Sequence, residues 1–311
     1  MQTLFSKTKP AFSMLELIFV IVILGIISSI GSELIAKVYS NYIVQRGAHK
    51  SSSKTDLAAT QIANRLSYSI PNTIIAINPA GSVTAPGPNS IESLESLIDA
   101  DATILQWIGS DHDSFNAGGW HGFVDVNISL ALTIETPGSN LTLANTIINN
   151  VTSGGLNTSA IFFPNTYGTH NIGYGLNNIG DILDITGLTT ITGFTSPDTI
   201  KVTDLSIDSK TIREHYKIAS SAYAIVPLKK DGTTICTVTD FPCDLVLRYN
   251  FQPWQGENYN HANASSKLLI RNISAFRFTG SGSTIRFKIC QEENIGGDYN
   301  ITTCKEKAVI R

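Results

Sequence analysis

The stretch FSMLELIFVIVILGIISSIG, residues 12–31, decides the fold of this chain. It is apolar except for Glu16 and a few serines, and Lys7 and Lys9 precede it. As a helix its 20 residues would extend about 30 Å, the thickness of a bilayer core. Lysines held on the cytoplasmic side place the rest of the chain outside the cytoplasm. The stretch therefore predicts either a transmembrane helix or a secretion signal.

Hydropathy alone leaves three interpretations of this stretch open. A signal peptide would have its apolar centre at residues 17–27 and be cut near Ser29, but Glu16 directly before that centre counts against it. A plain anchor would hold Glu16 in lipid at a cost of about 2.5–3.5 kcal/mol at mid-bilayer, without a cation inside the span. Cleavage between Ala11 and Phe12 would supply that cation, because the new amino group lies one helical turn from Glu16.

The short basic leader, the KPA before the cut and the FSMLE after it resemble the type IV prepilin and pseudopilin family. The resemblance implies that residues 1–11 form a cytoplasmic leader peptide, which a prepilin peptidase removes between Ala11 and Phe12. It also implies N-methylation of Phe12, and it gives Glu16 the role of docking and aligning subunits in a filament. The chain departs from the family at Ala11, where the family usually has glycine.

The same resemblance implies a single-pass protein of the bacterial inner membrane, with its head in the periplasm, that joins a filament after assembly. Its partners would be prepilin peptidase, other pilin or pseudopilin subunits, the inner-membrane assembly platform and membrane lipid. The expected function is that of a minor subunit of a type II secretion pseudopilus or of a type IV pilus. The alternative is an adhesin-like protein that binds a surface from the same anchor.

Residues 32–71 are expected to continue the helix beyond the membrane, because no proline separates Phe12 from Pro71. Two groups of apolar residues recur at helical spacing, and both are expected to face the head. The first group is Ile35, Val38, Tyr39 and Tyr42, and the second is Ala58, Ile62, Leu66 and Ile70. Gly47 and the polar residues after it leave open a second arrangement, in which two helices are joined by a linker at residues 47–54.

Beyond the helix, alternation of apolar and polar residues is typical of half-buried strands. Residues 124–134 alternate in this way, TPGSN at residues 136–140 indicates a turn, and residues 141–143 would begin a returning strand. A second hairpin is expected within residues 276–289, with a third strand at residues 247–251 beside it. The predicted fold is α+β: a long N-terminal membrane-spanning helix packed on an antiparallel β-sheet head, pilin-like, with a β-rich insertion.

The charges divide the chain into three parts. Residues 1–65 carry seven Lys/Arg and three Asp/Glu, residues 66–200 carry no Lys or Arg and eleven Asp/Glu, and residues 201–311 carry fifteen and eleven. A segment without cations would repel a phosphate backbone, since binding to nucleic acid depends on Lys and Arg contacts. The sequence therefore predicts no nucleic acid partner.

Two further stretches extend the family resemblance. Residues 55–71, TDLAATQIANRLSYSIP, resemble the end of the long helix in minor pilins and in the J class of minor pseudopilins. Residues 266–278, SKLLIRNISAFRF, resemble their late strand. The resemblance implies an acidic β-rich insertion at residues 72–200 and a pilin-like sheet head with disulfides at residues 201–311.

All four cysteines lie between Cys236 and Cys304, and an even number in one region is typical of disulfides formed in an oxidising compartment. The favoured pairs are the sequence neighbours, Cys236 with Cys243 and Cys290 with Cys304. Four cysteines still allow three pairings. Neither spacing is the C-x-x-C that is typical of zinc sites, so a metal is the weaker interpretation.

The residues do not support a catalytic constellation, and we expect neither enzymatic activity nor a cofactor. Ser51 and Lys54 form S-x-x-K, but the companion motifs of penicillin-recognising enzymes are absent. No P-loop is present, and no complete dinucleotide-binding fingerprint is found.

Two acidic clusters could supply oxygen ligands for Ca²⁺. Asp111, His112 and Asp113 precede a segment with Gly118, Gly119, Trp120 and His121, and Glu292, Glu293 and Asp298 lie between the last two cysteines. Solvated loops explain both clusters, and this is the favoured interpretation. No metal site is therefore predicted.

Overall fold

The computed structural model describes residues 13–71, 73–77, 103–163, 188–203, 214–281, 284–296 and 300–310. The α-helices described are α1 (Met14–Leu66), α2 (His112–Asn116) and α3 (Leu141–Val151). The strands described are β1 (Ile75–Ile77), β2 (Ile104–Gly109), β3 (Thr133–Glu135), β4 (Ala160–Phe162), β5 (Leu188–Ser196), β6 (Thr199–Val202), β7 (Lys217–Ala219), β8 (Ser221–Leu228), β9 (Cys243–Phe251), β10 (Ser265–Ser281), β11 (Thr284–Asn294) and β12 (Asn300–Ile310). These elements make an α+β fold of one long apolar helix and antiparallel sheets.

α1 is a single unbroken helix of 53 residues, about 80 Å long. It begins after Ser13, whose hydroxyl accepts a hydrogen bond from the backbone N–H of Glu16 at 3.2 Å. It ends at Leu66, shortly before Pro71, which cannot continue a helix. Gly47 lies inside the helix, so the alternative of two helices with a linker is wrong. Ile295 of the head occupies the space that a Cβ at position 47 would need, so glycine lets the helix approach the head closely.

The carboxyl-terminal half of α1 packs on the head. Ser51, Thr55, Ala58, Ile62 and Leu66 are buried at spacings of three and four residues, which places them on one helix face. Thr55 donates its hydroxyl hydrogen bond to the Ser51 carbonyl at 2.7 Å, so this polar side chain is satisfied without a partner in the sheet. Ala58, Ile62 and Leu66 of the second apolar group are therefore buried on the helix as expected, whereas Ile70 lies beyond the end of α1 and is buried in the other core.

A seven-stranded sheet in the order β1-β2-β8-β9-β10-β11-β12 receives this helix face. All its neighbouring strands are antiparallel. α1 lies mainly against β11 and β12. The core beneath the helix contains Trp107, Ile225, Leu245, Leu247, Ile273, Phe276, Phe287 and Ile289. The opposite face of the sheet packs against β4 through Ala160 and Phe162.

A second antiparallel sheet has the order β3-β6-β5-β4-β7. α3 packs on it with Leu141, Ala144 and Ile148 buried, together with Ile134, Ile161 and Ile200 of the strands. The head, which we define as the described residues after α1, therefore consists of two sheets with α3 on the outer one.

The first apolar group of the helix does not pack on the head, contrary to the expectation. Ile35, Val38, Tyr39 and Tyr42 are all 57% exposed or more. The physical reason is length: an 11-residue strand such as β12 extends about 36 Å and can cover only about 24 helical residues. The helical periodicity predicted the helix correctly, but it could not say what the apolar face would contact.

The first expected hairpin is also wrong. Only Thr133–Glu135 of the alternating stretch forms a strand, and Leu141–Val151 is a helix instead of a returning strand. The Asn140 side chain accepts a hydrogen bond from the N–H of Leu143 at 3.1 Å and so caps the helix. The turn itself is present, since the N–H of Ser139 bonds to the Thr136 carbonyl at 3.0 Å.

The expected C-terminal hairpin and the strand beside it are present. β10 pairs with β11 so that Phe276 opposes Ile289 and Phe278 opposes Phe287. β9 lies on the other side of β10. The alternation predicted these strands correctly because one of their faces is buried under the helix.

The expected boundaries of the insertion differ from the observed sheets. β1 and β2 lie inside residues 72–200, yet both belong to the seven-stranded sheet, and β7 lies after residue 200 but belongs to the five-stranded sheet. β2 is buried along its whole length, as an internal strand between two packed layers must be. The two sheets therefore do not separate at residues 72 and 201.

Replacing Ile62 with alanine tests the packing of α1 on the sheet. Ile62 is 0% exposed, so the change should lower the free energy of unfolding by about 2–5 kcal/mol because it leaves a cavity. Leu57→Ala is the matched control, because Leu57 lies on the same helix and is 61% exposed; its effect should stay within about 0.5 kcal/mol. Urea unfolding of the full chain in detergent micelles, followed by tryptophan fluorescence, measures both, and equal losses would contradict the packing.

Candidate functional site

The amino-terminal half of α1 is the most distinctive surface of the protein. We call residues 14–30 the apolar span. Its large side chains are between 48% and 83% exposed, and α1 is long and apolar enough to cross a membrane. The exposed residues are Met14, Leu15, Leu17, Ile18, Phe19, Val20, Ile21, Val22, Ile23, Leu24, Ile26, Ile27 and Ile30. In water such a surface would be strongly unfavourable, whereas lipid or other apolar helices would satisfy it.

Glu16 lies in the first turn of α1 among these apolar residues. The N-terminal end of a helix favours a negative charge, because the first backbone N–H groups are not bonded within the helix. Within the part of the chain that the structure describes, Glu16 makes no ion pair. The expected cleavage between Ala11 and Phe12 and the expected methylation of Phe12 fall outside the described residues.

Three ion pairs join α1 to the head. The Glu293 carboxylate of β11 accepts hydrogen bonds from the Lys50 ammonium at 2.8 Å and from the Lys54 ammonium at 3.2 Å. Lys307 of β12 lies 3.5 Å from Asp56. The bond to Lys50, followed by the contacts with Lys54, lowers the pKa of the Glu293 carboxyl. The contacts fix the helix at the level where it leaves the sheet and becomes exposed.

Both disulfides join sequence neighbours. Cys236 is bonded to Cys243, and Cys290 to Cys304. Cys290 and Cys304 face each other directly across β11 and β12, so this bond crosslinks the two strands on which α1 rests. The four thiols are therefore consumed by disulfides and could not hold zinc.

Of the two aspartates in the first acidic cluster, Asp111 has structural contacts and Asp113 faces solvent. Asp111 caps α2 and accepts hydrogen bonds from the N–H and hydroxyl of Ser114 and from the Trp120 indole N–H, the last at 3.3 Å. Burial raises the pKa of Asp111, although the hydrogen bond from Ser114 opposes this effect. Asp113 is exposed in the first turn of α2.

The second acidic cluster and the S-x-x-K motif are likewise occupied by contacts within the fold. Glu293 binds the two helix lysines, and Glu292 accepts from the Asn300 side chain. Asp298 lies outside the described residues. Ser51 is buried on the helix and Lys54 is bound to Glu293. Among the described residues, no group of three His, Cys, Asp or Glu side chains is arranged to hold a metal ion.

Comparisons with protein-family models, with curated proteins and with solved structures found no match to this chain. The function therefore has to be argued from the helix and its surroundings.

Glu293→Gln tests whether the charges fix α1 to the head. A carboxyl whose pKa is lowered in the folded state stabilises the fold above its unfolded pKa of about 4.3, and this contribution disappears as the pH falls through the folded pKa. At pH 7 the substitution should lower the free energy of unfolding by about 0.5–1 kcal/mol, and this difference should shrink as the pH is lowered from 7 toward 3.

Glu306→Gln is the control, because Glu306 is exposed on β12 and makes no ion pair with any described residue. Urea titrations of the full chain in micelles across this pH range give the comparison. A pH-independent loss in Glu293→Gln, or an equal loss in the control, would contradict the role of these ion pairs.

Proposed function

We propose that the chain is a minor pilin or pseudopilin subunit, which assembles into a type II secretion pseudopilus or a type IV pilus. One observation carries the proposal: a single unbroken helix has an apolar, uncovered first half and a second half packed across an antiparallel sheet. Soluble proteins rarely expose an apolar surface of this length to water. A subunit that is first stored in lipid and then packed among identical helices requires one.

Glu16 has a specific role in this proposal. A carboxylate within lipid is costly unless a cation pairs with it. Removal of residues 1–11 by a prepilin peptidase would leave the amino group of Phe12, carrying one methyl group, near the start of α1. In the filament this cation would pair with Glu16 of a neighbouring subunit. The same cleavage would thus release the leader and create the charge that sets the subunit register.

The exposed stripe beyond the apolar span fits the same role. Ile35, Val38, Tyr39 and Tyr42 share one helix face, and the head of their own subunit leaves each of them at least 57% exposed. In a filament of parallel subunits, neighbouring chains would cover this face. The helix therefore supplies assembly contacts both inside and just outside the membrane.

The proposed location follows from the orientation of the helix. Lys7 and Lys9 would remain on the cytoplasmic side of the bacterial inner membrane, and the head would lie in the periplasm. The partners would be the prepilin peptidase, the inner-membrane assembly platform, membrane lipid and other pilin or pseudopilin subunits. The protein would act without a cofactor and without catalysis, and nucleic acid would not be a partner.

Glu16→Ala tests the proposal. The variant should insert into the membrane normally, because the substitution makes the span more apolar, but its incorporation into sheared filaments should fall at least tenfold. Glu33→Ala is the matched control, since Glu33 is on the same helix, exposed, and paired with Lys37 at 2.7 Å; it should be incorporated normally. Immunoblots of membrane and filament fractions provide the measurement, and normal incorporation of Glu16→Ala would overturn the assignment.

A further inference from the structure

A cleft with aromatic walls opens where α1 ends and the two sheets meet. It has a volume of about 290 Å³ and is formed by three chain segments that are far apart in the sequence. We call it the aromatic cleft and define it by the six lining residues on which the argument depends. They are Tyr68 after α1, Ser110 after β2, His112 and Phe115 of α2, and His215 and Lys217 at the start of β7.

Rings in fixed positions form the walls of the cleft. Tyr68 stacks on His112 with ring centres 3.8 Å apart, and Phe115 rests against the buried Trp120 at 4.9 Å. Tyr68 and Phe115 each remain 43% exposed. His112 and Trp120 therefore support the two rings, whose other surfaces face solvent. Such an arrangement is expected of a preformed ligand site.

Several polar groups of the cleft lack partners within the described fold, although His112 is hydrogen-bonded to the Asn116 side chain at 2.8 Å. Lys217 is half-buried, and its ammonium forms no hydrogen bond or ion pair with any described residue. The Tyr68 and Ser110 hydroxyls and the His215 ring nitrogens also form no hydrogen bond with the described residues. Tyr68 and His215 are exposed and can bond to water, so the missing partner is most costly for the half-buried, charged Lys217.

The charges around Lys217 leave it available for an anion. Burial lowers the pKa of Lys217, which is the effect of losing water without gaining a counter-ion. Asp111 belongs to the chain segment beside β7, since the Asp111 N–H bonds to the Ile218 carbonyl at 2.8 Å. The Asp111 carboxylate is held by Ser114 and Trp120 instead. Asp113 and Glu214 are exposed to solvent.

We propose that the aromatic cleft binds an acidic sugar residue, a pyranose ring that carries a carboxylate. Its apolar ring face would lie on Phe115 and Tyr68, its carboxylate would pair with Lys217, and its hydroxyls would bond to Ser110 and His215. A neutral sugar would leave the Lys217 ammonium unpaired. An aromatic acid would leave the hydroxyl and imidazole groups unpaired, and a site with unpaired polar groups discriminates strongly against such ligands.

The place of the cleft along the molecule suits contact with an external glycan. Some 36 residues separate Ile30 from Leu66, which corresponds to about 54 Å of helix. If the helix is anchored as proposed, the cleft lies near the end of α1 that is remote from the bilayer. This placement rests on the proposed function, but the binding itself does not, so failure of filament assembly would leave the cleft proposal unaffected.

The test uses the full chain in detergent micelles and sodium glucuronate as the probe. Ligand-observed NMR and calorimetry should detect saturable binding of glucuronate. Glucose, which lacks the carboxylate, and sodium acetate, which lacks the ring, should each bind at least tenfold more weakly. Absence of saturable glucuronate binding, or equal binding of either comparator, would overturn the proposal.

Variants locate the binding. Lys217→Met and Phe115→Ala should each weaken glucuronate binding at least tenfold, and Lys217→Arg should retain it. Lys201→Met is the control, because Lys201 is an exposed lysine of β6 outside the cleft; it should bind as the parent does. Circular dichroism and the thermal midpoint confirm folding of each variant. Unchanged affinity in Lys217→Met, or an equal loss in Lys201→Met, would contradict the assignment.

Discussion

The rest of the structure depends on one constraint, which is that a continuous helix must satisfy two different environments. The second half of α1 packs Ala58, Ile62 and Leu66 into the head, whereas the first half presents an apolar surface that the head does not cover. The two strands on which the helix mainly lies, β11 and β12, extend only about as far as 24 helical residues. Since the helix is unbroken, one continuous element joins the apolar span to the head.

The contacts around the exit point strengthen this connection. Lys50 and Lys54 share Glu293, Gly47 allows Ile295 to come close, and the Cys290–Cys304 disulfide crosslinks the strands below. Each contact is small on its own. Together they restrain the region where an exposed helix begins and where bending would otherwise be expected. The proposed subunit function depends on this stiffness, because neighbouring heads can be aligned only if each head follows its own helix.

Local signals in the sequence predicted the elements whose neighbours are close in the chain. The long helix follows from the absence of proline and from helical periodicity, the β10–β11 hairpin follows from alternation, and the disulfides join the nearest cysteines. The failures have two causes: an apolar pattern does not specify what its face will contact, and a local helix cap can override the expected returning strand. Ile35 and Tyr42 have the right spacing for packing, but the head leaves both side chains exposed. Leu141 begins a helix because Asn140 caps it.

Glu16 and the aromatic cleft also differ in whether the sequence alone could predict them. Glu16 stands out in the sequence, because a carboxylate in an apolar run is conspicuous without any structure. The aromatic cleft could not be predicted, because Tyr68, Phe115 and Lys217 lie on three separate segments that only the meeting of two sheets brings together. The absence of a partner for Lys217 among the described residues is also a property of three-dimensional packing.

The central claim is that α1 is an assembly helix whose mature amino terminus neutralises Glu16. Its most direct test is the intact mass of the protein purified from membranes of cells that contain a prepilin peptidase. The account predicts a chain that begins at Phe12, carries one added methyl group and lacks the hydrogens that two disulfides remove. A mature chain that begins at Met1, or one that begins beyond Ser29, would contradict it.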